Sequence, residues 1–468
     1  MVSRRHLPVW TSIVVLCSMF LVGQEAWLPP CMDSDGDGYG DPASKFCEHP
    51  EADCDDMNPY MNPGALESLT EEATCSDRLD NDCDGFIDDE DVDCLSTPPP
   101  EGTALIDENG VSSSLALGPQ GLPGIAYTGP TGLEYAAWNP RALIFEYQTL
   151  DLACLGFCGV SLQLNQRGEP SIAYFRPTQD GSRIQGVWAH RTGSIWSEEI
   201  FASFPLGEFV GSLFPMKQAL VSLSLSPSGD PRIAYFRYRP SSKDYAVWLS
   251  EKIGYGWQSS QIASSPNPDF QPYAVSLSID KGGQAHILVN WERIWSSHGD
   301  ECAVLYYAKH TSLGWESLTL DLCLLQIPAN HGSSLVVDTA STPHVTFCGS
   351  DSKNNNYLYY IDMDTWQFTP LQLPNYDPGS ELGGCSIAVD IDDRPFVAYY
   401  VNRTDSLSYL GLCQRVENSW DCGALDSSLG PYFVGVSLAL DPFGRAHIAL
   451  SRYDFFIPVA GVYYYRGP

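Results

Sequence analysis

The sequence predicts an all-β chain: a seven-bladed β-propeller with four-stranded blades, preceded by a small, disulfide-rich, loop-dominated module. Three observations carry this. A unit of short strands recurs seven times between Thr103 and Pro468, six cysteines crowd into residues 31–94, and Pro98, Pro99 and Pro100 separate the two regions. The expected organisation is a signal segment at 1–26, an acidic module at 31–94, a stiff linker at 95–102 and the propeller at 103–468.

With 468 residues, 44% hydrophobic and 12% aromatic, the chain can bury a large core. Its 25 basic and 58 acidic residues leave a formal charge of −33, which repels nucleic acid and anionic membranes alike. Arg4, Arg5 and His6 precede an apolar run from Val9 to Val22, and the small residues Gly23 and Ala26 follow. That order reads as a cleaved secretory signal, too short for a spanning helix. No later segment is apolar enough to span a bilayer, so a secreted or cell-surface protein is expected. Cys17 leaves with the signal, and the fourteen remaining cysteines, an even number in an exported chain, point to disulfides.

Between Cys31 and Cys94 stand 21 acidic residues against Lys45 and Arg78, so this segment holds −19 of the total charge. Such a density folds only if something neutralises it. The run Asp80-Asn81-Asp82-Cys83-Asp84-Gly85-Phe86-Ile87-Asp88-Asp89-Glu90-Asp91 places carboxylates at loop positions 1, 3, 5, 9 and 12, with glycine at 6. Alternate residues then point inward, the Phe86 carbonyl adds an oxygen, and a hard cation finds six to eight oxygen donors. Asp91 stands where an EF-hand has glutamate. Asp33-Ser34-Asp35-Gly36-Asp37-Gly38-Tyr39 repeats the first half, with the Tyr39 carbonyl and Asp41 as further candidates. Position 12 there is Ser44, so this loop must borrow a ligand from Asp53, Asp55, Asp56 or Asn58.

The order C-x-D-x-D-G-D-G-Y-G-D-P, D-C-D-D-x-N-P, N-P-G-A-x-E and D-N-D-C-D-G-x-x-D resembles the metal-binding motif of secreted bacterial proteins, a family grouped with a methanotroph surface copper-binding protein. The single loops also resemble thrombospondin type 3 calcium repeats. The resemblance covers residues 31–94 and implies a bound metal, copper by the family's label. The donors themselves are oxygens, with only His49 and nearby Trp27 of softer character, so calcium is the expected cofactor and copper the alternative.

Beyond the prolines the repeats follow one another. Ser114-Leu115-Ala116-Leu117 precedes Ile125-Ala126-Tyr127, Ser161-Leu162-Gln163-Leu164 precedes Ile172-Ala173-Tyr174, and Ser222-Leu223-Ser224-Leu225 precedes Ile233-Ala234-Tyr235. Looser copies start at Ser276, Ser334, Ser386 and Ser437. The first residue after each turn (Pro123, Pro170, Pro231, Ala285, Pro343, Pro395, Ala446) recurs every 47 to 61 residues, the length of a four-stranded blade. Gly121, Gly168, Gly229, Gly283 and Gly444 suit a left-handed position in a bulged hairpin. Tyrosine pairs mark third strands, and Trp196, Trp257, Trp315, Trp366 and Trp420 open fourth strands. The last repeat is one strand short, and Thr103–Asp107 can supply it. Cys302 with Cys323 and Cys413 with Cys422 fit cross-strand disulfides, leaving Cys154 with Cys158 and Cys348 with Cys385, the last tying blade five to blade six.

Strand and turn grammar resembles sialidase-like and fucose-lectin-like propellers. A sialidase-type site needs several arginines around an acid and a nucleophile. Here Arg176, Arg232, Arg237, Arg239 and Arg394 are scattered. His286, His344 and His447 share one repeat slot, but Gly124, Ser171, Arg232 and Phe396 fill it elsewhere, which reads as repeat architecture. The expected function is non-catalytic recognition of a glycan or protein, with sialidase-like glycoside hydrolysis and metal capture as alternatives.

Overall fold

The computed structural model describes residues 31–467 except 45, 66–76, 84, 88–96, 155–157, 211–219, 294–301, 323–331, 351–355, 364–366, 375–379, 404–407, 418 and 455–458. The signal segment, Cys75, Cys94, Asp84, Asp88, Asp91, Trp366 and the partner expected for Cys302 lie outside those residues. The chain divides into two compact units, Met1–Cys94 and Leu95–Pro468.

The larger unit is a seven-bladed β-propeller. Each of its seven sheets has four antiparallel strands, and in six of them the strands follow sequence order from the innermost outward. The seventh is composite: Gly102–Asp107 pairs with the last strand, Val459–Arg466, in the register Thr103↔Tyr465 and Ala104↔Tyr464. One strand from each end of the unit thus closes the ring.

Hydrophobic patterning follows position in the blade. Second strands such as Pro123–Thr128 are buried throughout, because a neighbouring blade covers each face, whereas outer strands such as Ile144–Asp151 are largely exposed. Among the described residues the core consists of seven apolar clusters, one at each blade-to-blade interface. Leu162, Ile172 and Tyr174 of blade two meet Ala126 and Tyr135 of blade one in the first of these layers.

The turn between first and second strands is a bulged hairpin. In blade four the Asp280 amide donates to the Gln284 carbonyl at 3.0 Å and the Gly283 amide to the Asp280 carbonyl at 2.8 Å. The bulge residue needs positive φ, between 70° and 82° at Gly121, Gly168, Gly229, Gly283 and Gly444. Ser341 and Asp393 take the same place in blades five and six at 65° and 60°, so the repeat keeps its backbone where it loses its glycine. The aspartate opening four of these turns (Asp280, Asp338, Asp390, Asp441) accepts the amide four residues on, at 2.7 to 2.9 Å.

The recurring serine closes the inner ring. Each innermost strand is a sheet edge whose amides need partners. Ser114 Oγ accepts the Leu162 amide at 3.0 Å, Ser161 that of Leu223 at 2.9 Å, and Ser222 that of Leu277 at 2.9 Å. Ser276, Ser334 and Ser386 accept from Leu335, Ile387 and Leu438 at 3.1, 3.4 and 3.1 Å. Ser437 returns to Leu115 at 3.1 Å, completing a circle of seven bonds between successive blades. The cavity inside this circle, about 180 Å³, is lined by Ser113, Ser333 and neighbouring innermost-strand residues.

Disulfides join Cys154 to Cys158, Cys413 to Cys422 and Cys348 to Cys385. The last links blade five to blade six, and Cys413 and Cys422 face each other in register. Pro99 is buried within the propeller unit, and the Thr97 carbonyl accepts the Trp138 indole N–H at 2.8 Å. Among the described residues no helix is long and apolar enough to cross a membrane.

Candidate metal centre

The smaller unit is held by covalent staples and backbone turns. Cys31 pairs with Cys47 and Cys54 with Cys83, settling part of the connectivity that the sequence leaves open. A parallel bridge sets Gly40 beside Ala52, and the Asp53 amide donates to the Gly40 carbonyl at 3.2 Å.

The two acidic loops share one backbone. The position-1 aspartate accepts the position-6 glycine amide at 3.0 Å in both, from Gly38 to Asp33 and from Gly85 to Asp80. Position 6 has φ of 99° at Gly38 and 96° at Gly85; position 4 has 87° at Gly36 and 63° at Cys83. A non-glycine residue takes the left-handed conformation at Cys83, held there by its disulfide to Cys54. The first loop adds a bond from the Gly36 amide to Asp33 at 2.6 Å and one from the Tyr39 amide to Asp37 at 2.9 Å. Burial alternates along it, with Asp33, Asp35, Asp37 and Tyr39 half-buried and Ser34 and Gly36 exposed, so the carboxylates share the inner side.

Asp33, Asp35 and Asp37 bring carboxylate oxygens within 4.8 Å of one another. At such range the like charges repel, and a cation among them would relieve that repulsion. Burial, reinforced by the charges of Asp37, Asp33 and Asp56, raises the Asp35 pKa above the usual carboxylate range, and its Oδ2 is buried without a hydrogen-bond partner. Asp53 is 4% exposed, and its Oδ2 too has no partner. Burial raises its pKa as well, as do the charges of Asp37, Asp35 and Asp56.

The remaining candidates divide. Asp56 is engaged by Ser34, whose amide and hydroxyl donate to its two oxygens at 3.0 and 2.7 Å and lower its pKa. Asp41 and Asp55 are exposed, and Asn58 Oδ1 accepts the Tyr60 amide at 3.3 Å. In the second loop Asp80 and Asp82 are half-buried, while the Phe86 side chain is exposed. His49 stacks on Tyr39 with ring centres 4.5 Å apart.

Asn62 is a contributor that the sequence reading passed over. Its Nδ2 donates to Asp37 Oδ2 at 2.8 Å, and its Oδ1 accepts the Gly64 amide at 3.0 Å. The signal for it was the N-P-G-A stretch, where a side chain at Gly64 would run into the Tyr39 hydroxyl. Asp53, Cys54 and Cys83 also lie within 4.8 Å, but the two sulfurs are joined and offer no thiolate, so this trio is not a soft-metal site as the chain stands.

In the propeller, the arginines that the sequence singled out each meet a carboxylate of their own unit. Arg176 binds Asp151 at 2.6 Å and Glu198 at 3.0 Å, Arg232 binds Glu251 at 3.0 Å, and Arg394 binds Asp390 at 2.6 Å. Arg237 pairs with Glu208 and Arg239 with Asp244. The three slot histidines are buried, each bonded to a tyrosine of the adjacent strand: His286 to Tyr307, His344 to Tyr360 and His447 to Tyr464, at 2.6 to 2.7 Å.

The family described as "Putative metal-binding motif" (Cu-binding MopE) matches residues 53–89, from Asp53 through the second loop. A comparison with curated proteins finds no match. Similar solved structures include AofleA from Arthrobotrys oligospora, at 11% identity and a TM-score of 0.40 over 71% of this chain and 90% of that one. The α-L-arabinanase of Penicillium chrysogenum, complexed with arabinobiose, is similar at 11% identity and 0.45 over 71% and 100%. An ulvan lyase is similar at 13% and 0.47 over 78% and 95%. Some of these neighbours are enzymes, and at such distances they carry no argument about ligand or activity here. The chain thus joins a seven-bladed propeller to a segment similar to a metal-binding motif.

Proposed function

We propose that the protein is an exported, non-catalytic recognition protein: the propeller binds an extracellular glycan or protein, and calcium stiffens the acidic module. One observation carries the metal reading. In the first loop the half-buried carboxylates share the inner side, and the buried Oδ2 atoms of Asp35 and of Asp53 have no hydrogen-bond partner, while the second loop repeats the turn bond from its glycine amide to its first aspartate. Asp33, Asp35, Asp37 and the Tyr39 carbonyl would hold one ion; Asp80, Asp82, Asp84 and the Phe86 carbonyl, with Asp88 and Asp91, would hold the other. Bound calcium supplies the positive charge that lets these donors share a loop.

Calcium is favoured over copper because the donors are hard oxygens, the paired cysteines offer no thiolate, and the one imidazole, His49, lies exposed against Tyr39. Disulfides in both units favour an oxidising compartment. Against catalysis, the arginines that a sialidase-like site would converge on a substrate are each neutralised by a neighbouring carboxylate.

Hydrogen exchange on the full chain, with saturating calcium or with chelator, tests the metal reading. Amides of residues 31–94 should lose protection in chelator while the propeller's do not change, and Asp84→Asn should reproduce part of that loss. Equal protection in both buffers refutes it. Glycan-array and pull-down binding tests recognition, and turnover of a fluorogenic glycoside panel would overturn the non-catalytic assignment.

A further inference from the structure

We infer that Asp53 supplies the ligand that the first loop lacks, and that the Cys54–Cys83 disulfide makes this ligand depend on the second loop. The inference rests on the calcium reading and goes further by assigning one donor and a coupling between the sites. The first loop has Ser44 where a terminal carboxylate belongs, so Asp33, Asp35 and Asp37 need a donor from outside their own turn.

Of the acids within reach in sequence, Asp41 and Asp55 point to solvent, and Asp56 holds Ser34 with both oxygens. Asp53 differs from them all. The bridge between Gly40 and Ala52, together with the Asp53 amide on the Gly40 carbonyl, sets it beside the exit of the first loop. Its Oδ1 accepts the Asp55 amide at 2.8 Å, which fixes the carboxylate, and its buried Oδ2 has no protein partner. A carboxylate oxygen withdrawn from water without a donor is costly, and a cation among the neighbouring aspartates removes that cost.

The next residue, Cys54, is bonded to Cys83, which is position 4 of the second loop and carries its left-handed turn. Ordering the second loop therefore fixes Cys83, Cys83 fixes Cys54, and Cys54 holds Asp53 in place for the first. A dithiol reductant, giving up two electrons and two protons to leave two free thiols and its own disulfide, would cut this link without touching a donor oxygen.

Terbium, a hard cation accepted by oxygen loops, reports on the first site through sensitisation by Tyr39, since the second loop has Phe86 in that place. Titration of the full chain with terbium, followed by calcium competition, should give at least about tenfold weaker Tyr39-sensitised binding for Asp53→Asn than for wild type, with Asp41→Asn unchanged. The Cys54→Ser/Cys83→Ser pair should weaken the same signal about tenfold though every carboxylate remains. Hydrogen exchange in saturating calcium, with protection across residues 31–94 retained in each variant, establishes that the module is folded, and Tyr39→Phe should abolish the signal. Wild-type affinity in Asp53→Asn, or equal loss in Asp41→Asn, overturns the assignment of Asp53; wild-type affinity in the cysteine pair overturns the coupling. Wild-type protein that binds neither cation overturns the calcium reading itself.

Discussion

Acid should unfold the propeller partly through one residue, His447. It lies in the second strand of blade seven with no exposed surface, its Nδ1 hydrogen-bonded to Tyr464 Oη at 2.6 Å. Its Nε2 is 3.5 Å from Asp441 Oδ2, an oxygen that Arg445 Nε already holds at 2.6 Å. Burial is the main cause that lowers its pKa to about 4, and Arg466 and Arg445 add to it against the pull of Asp441. Because the folded value lies below the ordinary 6.5, the unfolded chain takes up a proton first. Stability from this group is therefore complete above pH 6.5 and is lost as the pH falls toward 4. At about 1.4 kcal/mol per pKa unit, the loss comes to about 3 kcal/mol. His286, also lowered chiefly by burial, titrates in the same direction, so the comparison must be between variants. Urea unfolding of wild type and His447→Gln at pH 7 and pH 4, followed by propeller tryptophan fluorescence, isolates the term. His447→Gln should be the less stable at pH 7, and the gap should narrow or reverse by about 3 kcal/mol at pH 4. Parallel pH dependences in the two proteins would refute the claim that His447 is held neutral.

The serine ring and the loop glycines give two further tests. Ser222→Ala leaves the Leu277 amide, at a blade edge, without its acceptor and should cost about 1–2 kcal/mol in urea unfolding, whereas Ser228→Ala in an exposed turn should cost under about 0.5; equal costs would mean the ring does not hold the blades. Gly85→Ala meets no atom within 4 Å, so its effect is backbone strain at φ 96° alone. A cost of about 1–2 kcal/mol should appear as roughly tenfold weaker calorimetric calcium binding at the second loop, and unchanged affinity would show that this conformation is not needed.

The propeller was legible because its signals repeat. One turn or one S-L-x-L strand means little, but seven in phase with aromatic strands define blade number, turn type and the closing strand at Thr103. What the pattern could not display is why the serine recurs. Its partner is an amide about fifty residues away in the next blade, and backbone amides leave no trace in sequence. The histidine slot shows the same limit: spacing marks it as a repeat position, while the tyrosine that bonds each histidine comes from the following strand, set by register. In the module, Asp spacing and glycine positions gave both loops, but a one-dimensional spacing rule weighs Asp53, Asp55 and Asp56 alike. They part only in three dimensions, where Ser34 engages one, solvent takes another, and the bridge at Gly40 draws the third inward.

That difference also shows that the chain's acidity has two origins. In the propeller, acids sit where the backbone needs acceptors: Asp280, Asp338, Asp390 and Asp441 each take a turn amide, and several carboxylates hold an arginine. Removing salt or metal leaves those contacts intact, because both partners belong to the protein. The module holds −19 of the −33 with only Lys45 and Arg78 as bases, so amide donors can settle its carboxylates only in part, and at Asp35 and Asp53 a buried oxygen is left without a partner. Net charge by itself predicts general repulsion spread over the molecule. The arrangement of donors predicts instead a propeller indifferent to divalent cations beside a module that depends on them.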